Sequence, residues 1–545
     1  MDNLSAQHRR DIALQLSQGS FDVLIIGGGI TGAGIALDAA SRGLKTALIE
    51  KGDFASGTSS RSTKLIHGGL RYLKQLEFKL VREVGSERAI IHRLAPHLVR
   101  AEKMLLPLVK NGAYGKWVTS LGLWTYDRLA GVSSEDQRIM LNKIETLEKE
   151  PLLRSDILLG SGFYAEYRTD DARLTLENIK TAILNGALCL NYIQAESFIY
   201  NKAGKISGVN CLDPETGNTW TIQSRFVVNA AGPWVDQLRA RDNSLGGKRI
   251  FHSKGVHIVV PRDRFPIRQA AYFDAPDKRM IFAVPRQGIT YIGTTDTPYE
   301  NHLDHLSADE PEAAYLLSSA NNMFPCIQLR LDDIQSSWAG LRPLIYEAGK
   351  SASEMSRKDE ILESPSGLLT IAGGKLTGYR KMAERIVDRL AKRYQADTGR
   401  RLNPCQTSRL HLGKHPFQTT EELQSYQETI SRRLIAFSNP TQKAEYLVSN
   451  YGRQTEEILE LLPDCPDPEI ALAKAEVRFT IENELALHAL DFLNRRSGRL
   501  YFQRPSIEHI LDAVLEAFRN SLNWSPVQVA EERAQVYAAM KQANF

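Results

Sequence analysis

Read for hydrophobic period, the chain opens with a short amphipathic stretch around Ile12, Leu14 and Leu16 and then changes character. Phe21 to Ile26 is an apolar run of strand length. Glycines follow, then a small-residue segment from Ala33 to Ser41 and a second apolar run from Thr46 to Ile49. Short apolar runs bounded by glycine read as strands buried on both faces, with the small-residue segment as a closely packed helix between them. From residue 162 to 234 the period shifts. TDDARLTLENIKTAILNGA has helical spacing and an acidic first turn, where the helix dipole favours negative charge. Short strands follow, punctuated by NKAGK and DPETG turns, and end in the buried run of RFVVNAAGPW. KGVHIVVP alternates, and MIFAVPRQGITYIGTTD predicts a hairpin. A later strand ends at Ala372, two glycines follow, and a long helix begins near Thr377. Beyond about residue 400 the pattern is helical and charged, in EELQSYQETISRRLIAF, EVRFTIENELALHALDFLNRR and IEHILDAVLEAFRNSL.

This order of elements predicts an α/β protein of three units. The first is a Rossmann-like nucleotide-binding domain in discontinuous pieces, 1–95, 163–240 and 340–398. An antiparallel β-sheet substrate domain, 96–162 and 241–339, is inserted into it, and an all-helical C-terminal domain covers 399–545. A chain of 545 residues is too long for one core, in keeping with that division. The net charge of +4 is small for this length and argues against a nucleic-acid binder. Cys189, Cys211, Cys326, Cys405 and Cys465 are scattered without a C-x-x-C pair, so they predict free thiols and no structural metal. The N-terminus is too polar for a signal peptide, and no apolar run reaches membrane-spanning length, so the expected location is cytoplasmic. A peripheral membrane contact remains open. Trp117, Leu121 and Trp124 share a helical face flanked by Lys110, Lys116 and Arg128, a pattern that reads either as an interfacial helix or as core. The start around Ile12 carries the same two readings.

The strongest chemical signal is FDVLIIGGGITGAGIALDAASRGLKTALIEKGD. Gly27, Gly29 and Gly32 form G-x-G-x-x-G between a strand and a helix, and Glu50 ends the second strand. Gly27 permits the tight turn, Gly29 lets a pyrophosphate approach the backbone, and Gly32 lets helix and sheet pack closely. The helix N-terminus offers free N–H groups to phosphates, and Glu50 can accept from ribose hydroxyls. The fingerprint alone does not separate NAD from FAD. Two further ligand-facing turns, NAAGPW and GGKLTGYR, lie far downstream, as wrapping a long FAD requires.

Taken in order, GGGITGAG, TSSRSTKLIHGGLRYL, DDARL, NAAGPWV, KGVHIVVP, IGTTDT, AGLRPL, GGKLTGYRKMAE and LDFLNRR resemble the FAD-dependent, quinone-linked glycerol-3-phosphate dehydrogenases of the D-amino-acid-oxidase-like superfamily. The resemblance spans most of the first 395 residues and reaches into the tail. It implies that Thr58, Ser59, Ser60, Ser62, Lys64 and His67 lie along FAD, joined by Ala231, Gly232, Gly373, Gly374, Lys375, Leu376 and Thr377. It implies further that Arg71, Tyr72, His257, Arg342, Arg357 and Lys375 face glycerol 3-phosphate. His67 and the Asp171–Arg173 pair also have plain readings, as a loop histidine and as a helix start with a salt bridge. One departure stands out: where relatives often show a threonine pair, this chain has Thr377-Gly378.

The chemistry of that set is coherent. A phosphomonoester carries nearly two negative charges and calls for two or three cations; arginine offers a planar fork, lysine a point charge. Oxidising the C2 alcohol needs an acceptor for the hydroxyl proton, for which His257 is the expected base because imidazole titrates near neutral pH. Arg342 is the alternative, steadying a developing alkoxide. The electrons are expected to pass to a membrane quinone. A glycerol-3-phosphate oxidase using oxygen, an amine or amino-acid oxidase, and a non-catalytic nucleotide-binding protein are the competing readings. A homodimer is compatible with the sequence.

Overall fold

A computed structural model describes residues 3–66, 78–113, 138–346 and 358–544. The elements that carry the site are β1 (Ser20–Ile26), α1 (Ile30–Ser41), β2 (Thr46–Ile49), α2 (Asp171–Leu184), β3 (Asn218–Asn229), β4 (Ile250–Pro261), β5 (Ile289–Gly293), β6 (Ser336–Ile345), β7 (Leu369–Gly373) and α3 (Tyr379–Thr398).

The apolar runs form the middle of a parallel sheet. β1 pairs with β2 on one side and β3 on the other, and β3 pairs with β7. Val23, Leu24 and Ile25 are fully buried because both faces are covered, which explains a run without polar alternation. α1 packs against α2 and α3. The small residues make that possible: a methyl group at Gly34 would come within 2.9 Å of the Tyr379 ring. Asp359–Glu363 closes the edge as an antiparallel strand.

The second sheet is larger and mostly antiparallel, with the expected hairpin at Met280–Arg286 and β5. One pairing departs from the antiparallel expectation: Ala270–Asp274 runs parallel to Arg100–Val109. The boundaries expected at 163 and 340 fall inside strands of this sheet, Leu158–Arg168 and β6. Among the described residues, one face of the sheet packs on helix Glu310–Met323 and the other on C-terminal helices through Phe492, Leu511 and Phe518. The C-terminal unit therefore forms half of the second sheet's core.

One open sequence reading is decided here and another is corrected. Ile12 and Leu16 are fully buried against the parallel sheet and only Leu14 is exposed, so the amphipathic start is core packing. The helix expected across 476–496 stops at Asn483 and resumes as a wide turn at Asp491–Arg496. Glu484 leaves the helix because its carboxylate is drawn inward: Arg173 holds both oxygens, at 2.7 and 2.8 Å, and Lys180 adds a 3.2 Å contact. The Trp117–Trp124 stripe lies outside the described residues. No described helix is long and apolar enough to cross a membrane.

Glu484 gives a pH prediction. Burial alone would raise its pKa, but Arg173 and Lys180 lower it to about 2 from an ordinary 4.5. A depressed folded-state pKa means the stabilisation is complete above pH 4.5 and is lost as pH falls from there to about 2. Glu484→Gln is expected to flatten the acid limb of stability in that window, measured as the urea midpoint against pH; an unchanged slope would contradict the assignment.

Candidate active site

A cavity of about 520 Å³ runs from the glycine turn after β1 to the second sheet. At its first end Gly27, at φ +120°, lies so close to Ala230 that a methyl group would strike the Ala230 carbonyl. Gly29 caps α1, and Ser59 Oγ accepts from Ile30 N at 2.9 Å, holding the hydroxyl-rich loop against the helix start. Gly32 does not line the cavity; its bare Cα packs on the Gly27 carbonyl. The Glu50 carboxylate accepts from Gly28 N at 2.6 Å and Gly52 N at 2.9 Å, one oxygen each. Burial pushes its pKa up against those two donors. Ala231, Gly232, Gly373, Gly374, Lys375, Leu376 and Thr377 line the same cavity, so the three turns separated in sequence converge.

The far end is floored by β4 and β6, whose antiparallel register sets Ser253 opposite Arg342, Gly255 opposite Gly340 and His257 opposite Trp338. Two facing glycines make a flat window with a different wall at each end. On one side His257 stacks on Trp338, with ring centroids 4.8 Å apart and planes 11° apart. On the other, Arg342 donates to Thr294 Oγ1 at 2.9 Å and Thr295 O at 3.2 Å, and lies 3.3 Å from Asp296. The Arg342 guanidinium folds back over Gly255, and the His257 ring sits where a Gly293 side chain would be. The loop from Thr58 to Thr63 roofs the window. Thr58 Oγ1 donates to Leu341 O at 2.7 Å, Trp338 Nε1 donates to Ser62 O at 3.1 Å, and Arg61 O abuts Gly340.

His257 departs from its expected titration. Burial, then Arg342 and Lys64, push its pKa well below the ordinary 6.5, so the imidazole is neutral at physiological pH. Its Nε2 is 2.9 Å from Thr63 Oγ1, and its Nδ1 is buried without a partner.

The described structure gathers His257, Arg342 and Lys375 with Gly27, Gly29, Glu50, Thr58, Ser59 and Ser62 around one cavity. Besides Gly32, it places two others elsewhere. Lys64 does not line the cavity; it is buried in an ion pair with Asp171, donates to Ser60 O and has Asp170 at 3.8 Å. Burial opposes its charge, but the two aspartates keep it protonated. Ser60 is buried and donates to Gly57 O. Arg173 likewise fulfils its salt-bridge reading. His67, Arg71, Tyr72 and Arg357 lie outside the described residues. At Gly378 a side chain would meet nothing within 4 Å, so the missing hydroxyl leaves open space.

Sequence reasoning passed over Arg61 and Trp234. Both line the cavity, and Arg61 Nε and Trp234 Nε1 are buried without hydrogen-bond partners among the described residues. Arg61 and Trp234 add polar side chains to the wall, which suits a polar ligand that supplies acceptors. A glycine turn at a helix start, an acid at the end of β2 and these donors fit an FAD.

The glycine window predicts a separation of function from folding. A methyl group at Gly255 meets the end of a flexible side chain, so Gly255→Ala is expected to leave thermal stability almost unchanged. Displacing Arg342 by about 1 Å should lower kcat/KM on the order of a hundredfold. Gly340→Ala meets the Arg61 backbone instead and should destabilise. Equal stability losses in the two variants would refute the arrangement.

The comparisons agree with this geometry. A family model described as FAD dependent oxidoreductase matches residues 22–380, and one described as the C-terminal domain of alpha-glycerophosphate oxidase matches 373–529. The chain is 46% identical to the aerobic glycerol-3-phosphate dehydrogenase of Staphylococcus aureus (strain MRSA252), over 99% of this chain and 98% of that one. Identity and coverage are the same for the enzyme of that name from Staphylococcus epidermidis. A solved structure of the glycerol-3-phosphate dehydrogenase from Bacillus halodurans, complexed with FAD, superposes with a TM-score of 0.84 at 41% identity, covering 99% of each chain. The chain belongs to the FAD-dependent oxidoreductases, in the family of the aerobic glycerol-3-phosphate dehydrogenases.

Proposed function

We propose that the protein oxidises sn-glycerol 3-phosphate to dihydroxyacetone phosphate with FAD and passes the electrons to a membrane quinone. The observation that carries this reading is the joining of a dinucleotide cradle to a window walled by His257 and Arg342 in one continuous cavity. FAD, when bound, supplies the two-electron acceptor for the hydride leaving C2. The protein's own residues do the rest. Arg342, anchored by Thr294 and Asp296, presents a fixed guanidinium to the phosphate, and Lys375 adds a second cation to the wall. Neutral His257, in the cavity wall, accepts the C2 hydroxyl proton. Stacking on Trp338 fixes its ring plane.

The description of the matching C-terminal model as that of an oxidase supports one alternative acceptor, oxygen. One experiment separates the readings. Anaerobic mixing with glycerol 3-phosphate should bleach the flavin absorbance, and quinone added afterwards should restore it faster than oxygen. Bleaching by glycine, sarcosine or proline but not by glycerol 3-phosphate would overturn the assignment.

His257→Ala is expected to lower kcat by about a hundred- to ten-thousandfold, the range of general base catalysis, while FAD content stays at the wild-type level. Because the folded-state pKa is depressed, the wild-type imidazole is already unprotonated as pH falls through about 6.5, so kcat/KM should show no acid limb there from this residue. A limb near that value which disappears in the variant would show that His257 titrates normally.

A further inference from the structure

Away from the FAD cavity, a second and much smaller one of about 60 Å³ lies where four parts of the chain meet. Arg100 and Arg168 come from paired strands of the second sheet, Thr169 and Asp170 from the start of α2, and Arg286 from the hairpin. The C-terminal unit contributes Glu445 and Ser449 from helix Pro440–Tyr451. His97 completes the wall.

The wall has more donors than acceptors. Three guanidiniums face two carboxylates, Asp170 and Glu445, with Glu102 lying 3.4 Å from Arg168. Arg100 spends its two terminal nitrogens on Glu445 and Ser449, at 2.5 and 2.6 Å, and its Nε is buried without a partner. Arg286 reaches Asp170 at 3.3 Å and lies over the Phe502 ring at 3.8 Å. Thr169 Oγ1 and His97 Nδ1 have no partner among the described residues either, and their residues are only 3% and 4% exposed. Three guanidiniums lining one small hollow suit a compact ligand with several acceptors. Burial and the neighbouring Arg168 and Arg286 also lower the Arg100 pKa, as crowding of positive charge requires.

We propose that this hollow is a second anion site, built for a small tetrahedral oxyanion of the inorganic phosphate type. The anion would be held by Arg100, Arg168 and Arg286 of the second sheet, with Thr169 donating its hydroxyl, and Arg100 carries the contact to Glu445 and Ser449 of the C-terminal unit. Asp170, which receives Arg286, also lies 3.8 Å from Lys64, the residue that follows the loop roofing the window.

The test uses crystals of the full-length, FAD-loaded protein soaked in selenate, whose anomalous signal locates the anion directly. The expected result is a peak among the three arginines, separate from any at Arg342, together with a saturable rise in unfolding temperature with phosphate at constant ionic strength. Arg286→Gln should abolish the peak in this hollow while sparing one at Arg342. Should that variant fail to fold, Thr169→Val should raise the phosphate concentration for half-maximal stabilisation at least tenfold. Ordered water alone in the hollow, or a peak that survives Arg286→Gln, would overturn the proposal. A peak without the saturable stabilisation would mean an adventitious ion only and would overturn it equally.

Discussion

Replacing Arg342 with alanine is expected to lower kcat/KM for glycerol 3-phosphate by about a hundred- to several thousandfold, chiefly through KM. The size follows from removing one partner of a desolvated, charge-assisted pair, on the order of 3–5 kcal/mol. The register of β4 and β6 makes this arginine the positioned cation of the window. It lies opposite Ser253, its guanidinium occupies the space over Gly255, and Thr294, Thr295 and Asp296 hold three of its directions. The side chain therefore meets a dianion without first losing rotamer freedom. Arg342→Lys should recover only part of the loss, because an ammonium cannot reproduce the fork. FAD content should be unchanged in both variants, since the dinucleotide cradle is assembled from β1, β2 and the loop at Thr58. A wild-type KM in the alanine variant would place the phosphate elsewhere and remove the central support of the functional reading.

What could be read from the chain and what could not divide along a physical line. β1, α1 and β2 were legible because a doubly buried strand and a small-residue helix leave a periodic local signature, and the glycines mark where backbone must approach phosphate. His257 and Arg342 stood out only through the family resemblance; lone residues of those types carry no period of their own. The glycine window was invisible for a related reason. Gly255, Gly293 and Gly340 sit in three different strands, and only their register shows that Arg342, His257 and the Arg61 loop use the space they leave. Lys64 was expected along the cofactor and is found in a buried pair with Asp171; an ion pair between residues so distant in sequence leaves no sequence pattern. The same holds for Glu484, whose pull toward Arg173 breaks a helix that local propensity would continue.

The role of the C-terminal unit rests on another such remote pair, and it leads to the second large effect. Asp53 follows Glu50 in the loop after β2 and is fully enclosed; Arg495 and Arg496, from the turn at Asp491–Arg496, both pair with it. Asn191 donates to the same carboxylate at 3.0 Å, and Arg496 also donates to Glu484 O at 2.7 Å. Burial alone would raise the Asp53 pKa, but the two guanidiniums hold it below the ordinary carboxylate range. Removing the carboxylate leaves Arg496 charged and buried with no carboxylate partner among the described residues, whereas Arg495 keeps Asp491 at 2.6 Å. Asp53→Ala is therefore expected to destabilise by about 3–5 kcal/mol, the cost of breaking a buried pair from one side. The damage should reach the cofactor. The loop that carries Asp53 also brings Ala55 N to Gly28 O at 3.0 Å and Gly52 N to Glu50, so loosening it should speed FAD release even where the protein stays folded. Arg495→Ala and Arg496→Ala should each cost less than Asp53→Ala, because each leaves Asp53 one arginine. Urea midpoints with flavin fluorescence recorded on the same samples test both halves. If Asp53→Ala lowered stability while FAD release stayed at the wild-type rate, the C-terminal unit would be a covering layer only, without influence on the cradle that holds the cofactor.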